Sequence, residues 1–170
     1  MLLVSACLAG AKTRFDGEAR LELELLELVR EGRAIPVCPE QLGGLTTPRP
    51  PAEIQGGDGF DVLTGKARVI TCDGRDVTEA YVRGAQEVLR LAQTWQAAGA
   101  VLKARSPACG SGEIYDGSFA GNLRPGFGVA AAILAQAGLP VFSEKSWKDK
   151  QGSDQNEGIE NHDHHRRHSQ

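Results

Sequence analysis

The sequence has almost no histidine where a folded body would use it. All four histidines fall within 161–170, so the rest of the chain lacks the imidazoles common in zinc sites. Paired C-x₂₋₄-C knuckles are missing too, although there are four cysteines: Cys7, Cys38, Cys72 and Cys109. That disfavours an all-cysteine zinc module. No apolar run approaches the ~20 residues of a membrane span. The start, Met1-Leu2-Leu3-Val4-Ser5-Ala6-Cys7, lacks the basic n-region and length of a secretory signal, so a cytoplasmic protein is expected. The formal charge of -3 leaves no general basic surface for a long nucleic acid. Neither G-x-x-x-x-G-K-[ST] nor a clear G-x-G-x-x-G after the first strand is present, which counts against a plain nucleotide-binding module.

What the chain does have is a pattern repeated around three cysteines. Cys7, Cys38 and Cys109 each follow a short apolar run and open a loop rich in Gly and Pro. The runs are Leu2-Leu3-Val4, Ala34-Ile35-Pro36-Val37 and Ala100-Val101-Leu102. In an open α/β sheet the carboxyl ends of parallel strands share one edge, and ligands bind just outside it. Three thiols far apart in sequence would meet there. Cytosolic thiols stay reduced, so a disulfide framework is not expected.

The body reads as alternating strands and helices. Leucines and a valine at helical spacing predict a helix over 18–30, with a strand as the competing reading because Leu-Glu-Leu-Glu-Leu also alternates. A strand over 34–37 leads into an irregular stretch over 41–61, and a short strand follows over 67–72. Thr78 is the expected N-cap of a helix reaching about residue 98, with Tyr81, Ala85, Val88, Leu89, Ala92 and Trp95 on one face. Strand 100–103, a Gly-rich loop over 106–128, a helix over 129–137 and a strand over 139–142 complete the body. This order predicts an α/β fold: a three-layer, mostly parallel, Rossmann-like sheet with helices on both faces. Residues 1–145 are expected to form one domain, and 146–170 a polar, His-rich tail without order, where metal binding would be adventitious.

Thiolates without histidine favour an iron–sulfur cluster over zinc. Cys72, in the turn-like Thr71-Cys72-Asp73-Gly74, is the weaker candidate for a fourth ligand. Three ligands would leave one iron open to substrate. Glu40, two residues after Cys38, is placed to orient or deprotonate a water. Ser106, three residues before Cys109, offers a hydroxyl to developing negative charge. Arg14 and Arg49 follow Cys7 and Cys38 and offer forked guanidinium groups for phosphate or carboxylate. Lys12, Lys103 and Arg105 add positive charge near the same edge, and Asp16 could hydrogen-bond a nucleobase.

At these loops the chain resembles the TudS-like thiouracil desulfidases, a bacterial family. The resemblance rests on Ser5-Ala6-Cys7-Leu8, Arg14-Phe15-Asp16-Gly17, Pro36-Val37-Cys38-Pro39-Glu40, Gly43-Gly44-Leu45, Pro48-Arg49-Pro50-Pro51, Ser106-Pro107-Ala108-Cys109-Gly110 and Ile114-Tyr115-Asp116-Gly117. These motifs run in order through 2–144. The resemblance implies a [4Fe-4S] cluster on Cys7, Cys38 and Cys109, with the fourth iron binding the sulfur of a thiolated pyrimidine. It further implies hydrolysis to uracil and sulfide, water activation by Glu40 and proton transfer assisted by Ser106. Arg14, Arg49 and Lys103 would seat a phosphate if the substrate is a nucleotide. The alternative from the same cysteines is a non-catalytic Fe-S or metal/redox sensor.

Overall fold

A computed structural model of the chain describes residues 1–160. In chain order the elements are β1 (Leu2–Ser5), a 3-10 turn (Ala6–Ala9), α1 (Leu23–Arg30), β2 (Ala34–Val37), α2 (Pro39–Leu42), β3 (Ala52–Gln55) and α3 (Gly59–Leu63). They continue with β4 (Arg68–Thr71), α4 (Thr78–Thr94), β5 (Gly99–Leu102), β6 (Ser111–Tyr115), β7 (Leu123–Phe127), α5 (Val129–Gln136), β8 (Val141–Ser143) and α6 (Glu144–Glu160).

The central sheet has the order β2-β1-β5-β8, with every pair parallel. Successive side chains of a strand point to opposite faces, and the buried residues sort accordingly. Leu3, Val37, Ala100 and Leu102 join one core with α4 and α5. Val4, Ala34 and Val101 join a second core with Leu25 of α1, against which Phe142 and Trp147 pack. Helices therefore cover both faces, and the expected three-layer α/β architecture is the one observed. The chain runs from β1 outward to β2, then crosses to β5 on the other side of β1. The resulting switch point between β1 and β5 opens a crevice at the carboxyl ends of the strands, where such sheets bind ligands.

Several local expectations need correction. The helix predicted over 18–30 begins only at Leu23. Arg20 N–H donates to Cys7 O at 2.9 Å and Glu22 N–H to Leu8 O at 2.8 Å, so alternate residues pair outward onto the cysteine turn. No strand forms there either: Leu21 is exposed, and the helix takes over from Leu23. The stretch 41–61 is not irregular throughout, because β3 pairs antiparallel with β4, and Asp58 caps α3 in a capping box. The loop expected over 106–128 contains the hairpin β6–β7, running from Ser111 opposite Phe127 to Tyr115 opposite Leu123. Gly112, Pro125 and Gly126 within those strands weaken the usual strand signal. Thr78 is the first residue of α4, not its cap. Its N–H donates to Asp76, and its hydroxyl accepts from Val69 N–H at 3.0 Å. That helix stops at Thr94, leaving Trp95 exposed. The polar segment after Lys145 opens within helix α6, whereas its composition suggested no regular structure. The His-rich stretch 161–170 lies outside the described residues.

One packing contact carries the site directly. Where α2 meets α4, a Cβ on Gly84 would stand 2.0 Å from Pro39 O, and a Cβ on Gly43 would stand 2.0 Å from Ala80 O. Only glycine lets the turn holding Cys38 and Glu40 settle against α4. Gly84→Ala is expected to cost roughly 1–3 kcal/mol by overpacking. The check is a lower urea midpoint with an unchanged slope.

Candidate active site

A cavity of about 470 Å³ opens at the switch point, within the size range of small-molecule sites. Cys7, Cys38 and Cys109 all line it. Cys7 sits in the 3-10 turn that ends β1, and Cys38 directly follows β2 as the N-cap of α2. Cys109 lies beyond β5 in a turn closed by Gly110 N–H donating to Ser106 O at 2.8 Å. That turn is pressed from behind by Gly128, where a Cβ would stand 2.8 Å from Cys109 N. Cys72 is exposed in the turn after β4 and does not line the cavity.

The three thiols line one cavity and feel the same neighbouring charge. Burial and then the charge of Glu40 push Cys7 from 9.0 to about 11, and the same two causes push Cys38 to about 11. Cys109 is raised well above its ordinary value, by burial first, then Glu40, with Cys7 and Cys38 adding to the effect. A hydrogen bond from Ser5 partly opposes this rise. The free protein therefore holds all three thiols protonated at neutral pH, and a metal must displace those protons to bind. Among the described residues no group of three His, Cys, Asp or Glu could hold a single metal ion. Cysteines binding a polynuclear cluster attach to different metal atoms and stand further apart. Three soft donors from three loops, facing one cavity without histidine, fit an iron–sulfur cluster in kind.

Glu40 is a buried acid on this wall. The Cys38 thiol donates to Glu40 Oε2 at 3.4 Å, and Arg49 Nη2 stands 3.9 Å from the same oxygen. Ser106 Oγ accepts from Ala108 N–H at 3.1 Å and Cys109 N–H at 3.0 Å. A hydroxyl has two lone pairs and one proton. Both lone pairs are engaged, so the proton is what Ser106 has left to offer the cavity.

Arg14, Arg20, Arg49, Lys103 and Arg105 all line the cavity, with different partners. Arg14 lines the cavity and pairs with Asp16 at 3.2 Å. Asp16 itself is not in the lining; it also accepts Glu18 N–H at 3.0 Å, which shapes the turn. Lys103 lines the cavity and pairs with the buried Glu144 at 3.3 Å. Arg49 is turned inward onto Thr13, Thr46 and Thr47.

Two further residues line the cavity, and one of them, Tyr81, is also the core residue its spacing predicts. Ser5, quoted above only as part of a motif, is buried at the end of β1; its Oγ accepts from Lys103 N–H at 2.8 Å and engages Cys109. A polar residue closing an apolar strand just before a cysteine was the available signal. Tyr81, assigned to a core stripe, lines the cavity with its phenol pushed well up by burial and then by Glu40. Its spacing on α4 matches a core residue, so periodicity alone gave no sign.

The geometry has counterparts among known proteins. The 2-thiouracil desulfurase family model matches residues 2–146. The chain is 48% identical over 149 residues to "Uncharacterized protein YbbK" of Bacillus subtilis (strain 168), covering 88% of this chain and 99% of that protein. A solved structure of a [4Fe-4S]-dependent thiouracil desulfidase, TudS, superposes with a TM-score of 0.77 at 43% identity. That match covers 87% of this chain and 93% of the other.

Proposed function

This chain belongs to the 2-thiouracil desulfurase family, and on that premise we propose that residues 1–145 form a hydrolytic desulfidase acting on thiolated uracil or its nucleoside or nucleotide. The overall change exchanges C=S for C=O: water enters, sulfide leaves, and no electrons are transferred. The observation that carries this reading is the meeting of Cys7, Cys38, Cys109, Glu40 and Ser106 on one cavity.

Cys7, Cys38 and Cys109 would hold a [4Fe-4S] cluster as thiolates. When bound, the cluster supplies an iron without a cysteine ligand, a soft Lewis acid matched to thiocarbonyl sulfur. The protein's own groups do the rest. Once Cys38 is a thiolate it no longer donates to Glu40, whose Oε2 is then free to take a proton from water. Ser106, with both lone pairs occupied by the Cys109 turn, donates its proton toward the departing sulfur or a ring atom. Arg14 and Lys103 hold positive charge at the rim for the substrate's oxygen or phosphate. Asp16 acts on the substrate only through Arg14.

The test is anaerobic reconstitution with iron and sulfide, followed by incubation with 2- or 4-thiouracil. A brown protein that releases sulfide and uracil in equal amounts is expected. A colourless protein carrying one zinc overturns the reading, and cluster binding without turnover replaces it with a sensor.

A further inference from the structure

Given a cluster on the three cysteines, as proposed above, we infer that Arg49 is a positioning residue. It clamps the loop after Cys7 to the segment around Cys38, and so governs how firmly the cluster is held. The sequence places it among the cations that could seat a phosphate, and it does line the cavity. The structure gives it a different set of partners.

The Arg49 side chain is 8% exposed. Its Nη1 donates to Thr46 O at 3.2 Å and Thr47 Oγ1 at 2.9 Å, and its Nη2 donates to Thr13 O at 2.9 Å. Its main-chain N–H donates to Phe15 O at 2.8 Å. Thr13 and Phe15 belong to the loop that leaves Cys7. The main-chain hydrogen bonds of Thr13, Arg14 and Gly17 close back within 11–18, so they do not tie that loop to its neighbour. Arg49 provides that tie. The Cys38 thiol approaches the same Thr13 oxygen at 3.8 Å, and Nη2 faces the Glu40 carboxylate at 3.9 Å. One guanidinium thus braces two cysteine loops and the carboxylate between them. Its planar fork suits this bracing, and a lysine's single ammonium cannot reproduce it.

Groups that orient metal ligands typically change metal affinity by 10–100-fold when removed. Arg49→Lys is therefore expected to lose iron to a chelator about tenfold faster than wild type, followed by the decay of visible absorption. The KM for thiouracil of the loaded fraction should stay unchanged. Leu134→Ala, a cavity in the core beneath α5, serves as the control for lowered stability alone and should retain iron like wild type. Should Arg49→Lys fail to fold, Thr47→Val removes one acceptor of the clamp and should accelerate iron loss by a smaller factor. Iron retention equal to wild type in both clamp variants overturns the inference. So does equal acceleration in Leu134→Ala, or a raised KM with normal retention. Wild-type protein that takes up no iron overturns the proposed function and this role together, whereas the other outcomes leave the proposed function standing.

Discussion

Alanine at Cys7, Cys38 or Cys109 is expected to remove both the visible absorption of the reconstituted protein and its sulfide release. Each residue contributes one soft donor from a separate loop, among the described residues no histidine lines the cavity, and the nearby Glu40 offers only a hard oxygen, a poor replacement for thiolate. Losing a single electrostatic stabiliser usually costs 10²–10³ in rate, so losing the Lewis acid itself should cost at least ~10³. Cys72→Ala is the matched control: that thiol is exposed and outside the cavity lining, so iron content and rate should match wild type. Iron per chain and sulfide per minute, measured on the same samples, decide the matter. Full activity in Cys38→Ala would contradict the ligand set. The free protein should tolerate these changes, because alanine in place of a buried, protonated thiol removes little apolar contact at the cavity wall.

Glu40→Gln is the second large effect, and it should act on rate alone. Glutamine keeps the size of the side chain and can still face Cys38 and Arg49, but it cannot accept a proton from water. General-base catalysis by one positioned group contributes about 10²–10⁴-fold, and kcat is expected to fall by that order while iron content holds. An unchanged kcat would remove Glu40 from the chemistry and favour a purely structural acid. A fall in iron content matching the fall in rate would instead make it a support for Cys38. Measuring iron and single-turnover rate together separates the two.

Much of the fold was legible in residue patterning. The run Ala34–Val37 forms β2 with the expected bounds, and β5 reads as a strand because its residues are buried on both faces. The hairpin β6–β7 was not legible, since Gly112, Pro125 and Gly126 disguise its strands as loop. Its two strands pair with each other through the connection 116–122, a tertiary pairing that local preference does not report. The early part of the predicted helix over 18–30 failed for a related reason. Its amides found better partners on the Cys7 turn than within a helix of their own.

At the site, the cysteines' approach to one rim followed from strand ends alone, because parallel strands put all their carboxyl termini on the same side. Which polar groups serve that rim did not follow. Ser5 takes the Lys103 amide from 98 residues away and also engages Cys109, and Arg49 reaches Thr13 across 36 positions. Periodicity reports only a residue's neighbours along its own element. Contacts between loops depend on how close those loops come.

By itself, then, the order of residues determined the layered sheet, the edge where the thiols gather and the family to which the chain belongs. Tertiary structure alone decided the division of labour among the charged groups: Arg49 drawn inward, Asp16 left outside the cavity and Tyr81 facing into it. The physical reason is that short continuous apolar runs mark buried strands locally, and the helical crossovers between them make those strands parallel. A buried charge instead takes its role from whatever partners the folded loops bring within hydrogen-bonding distance.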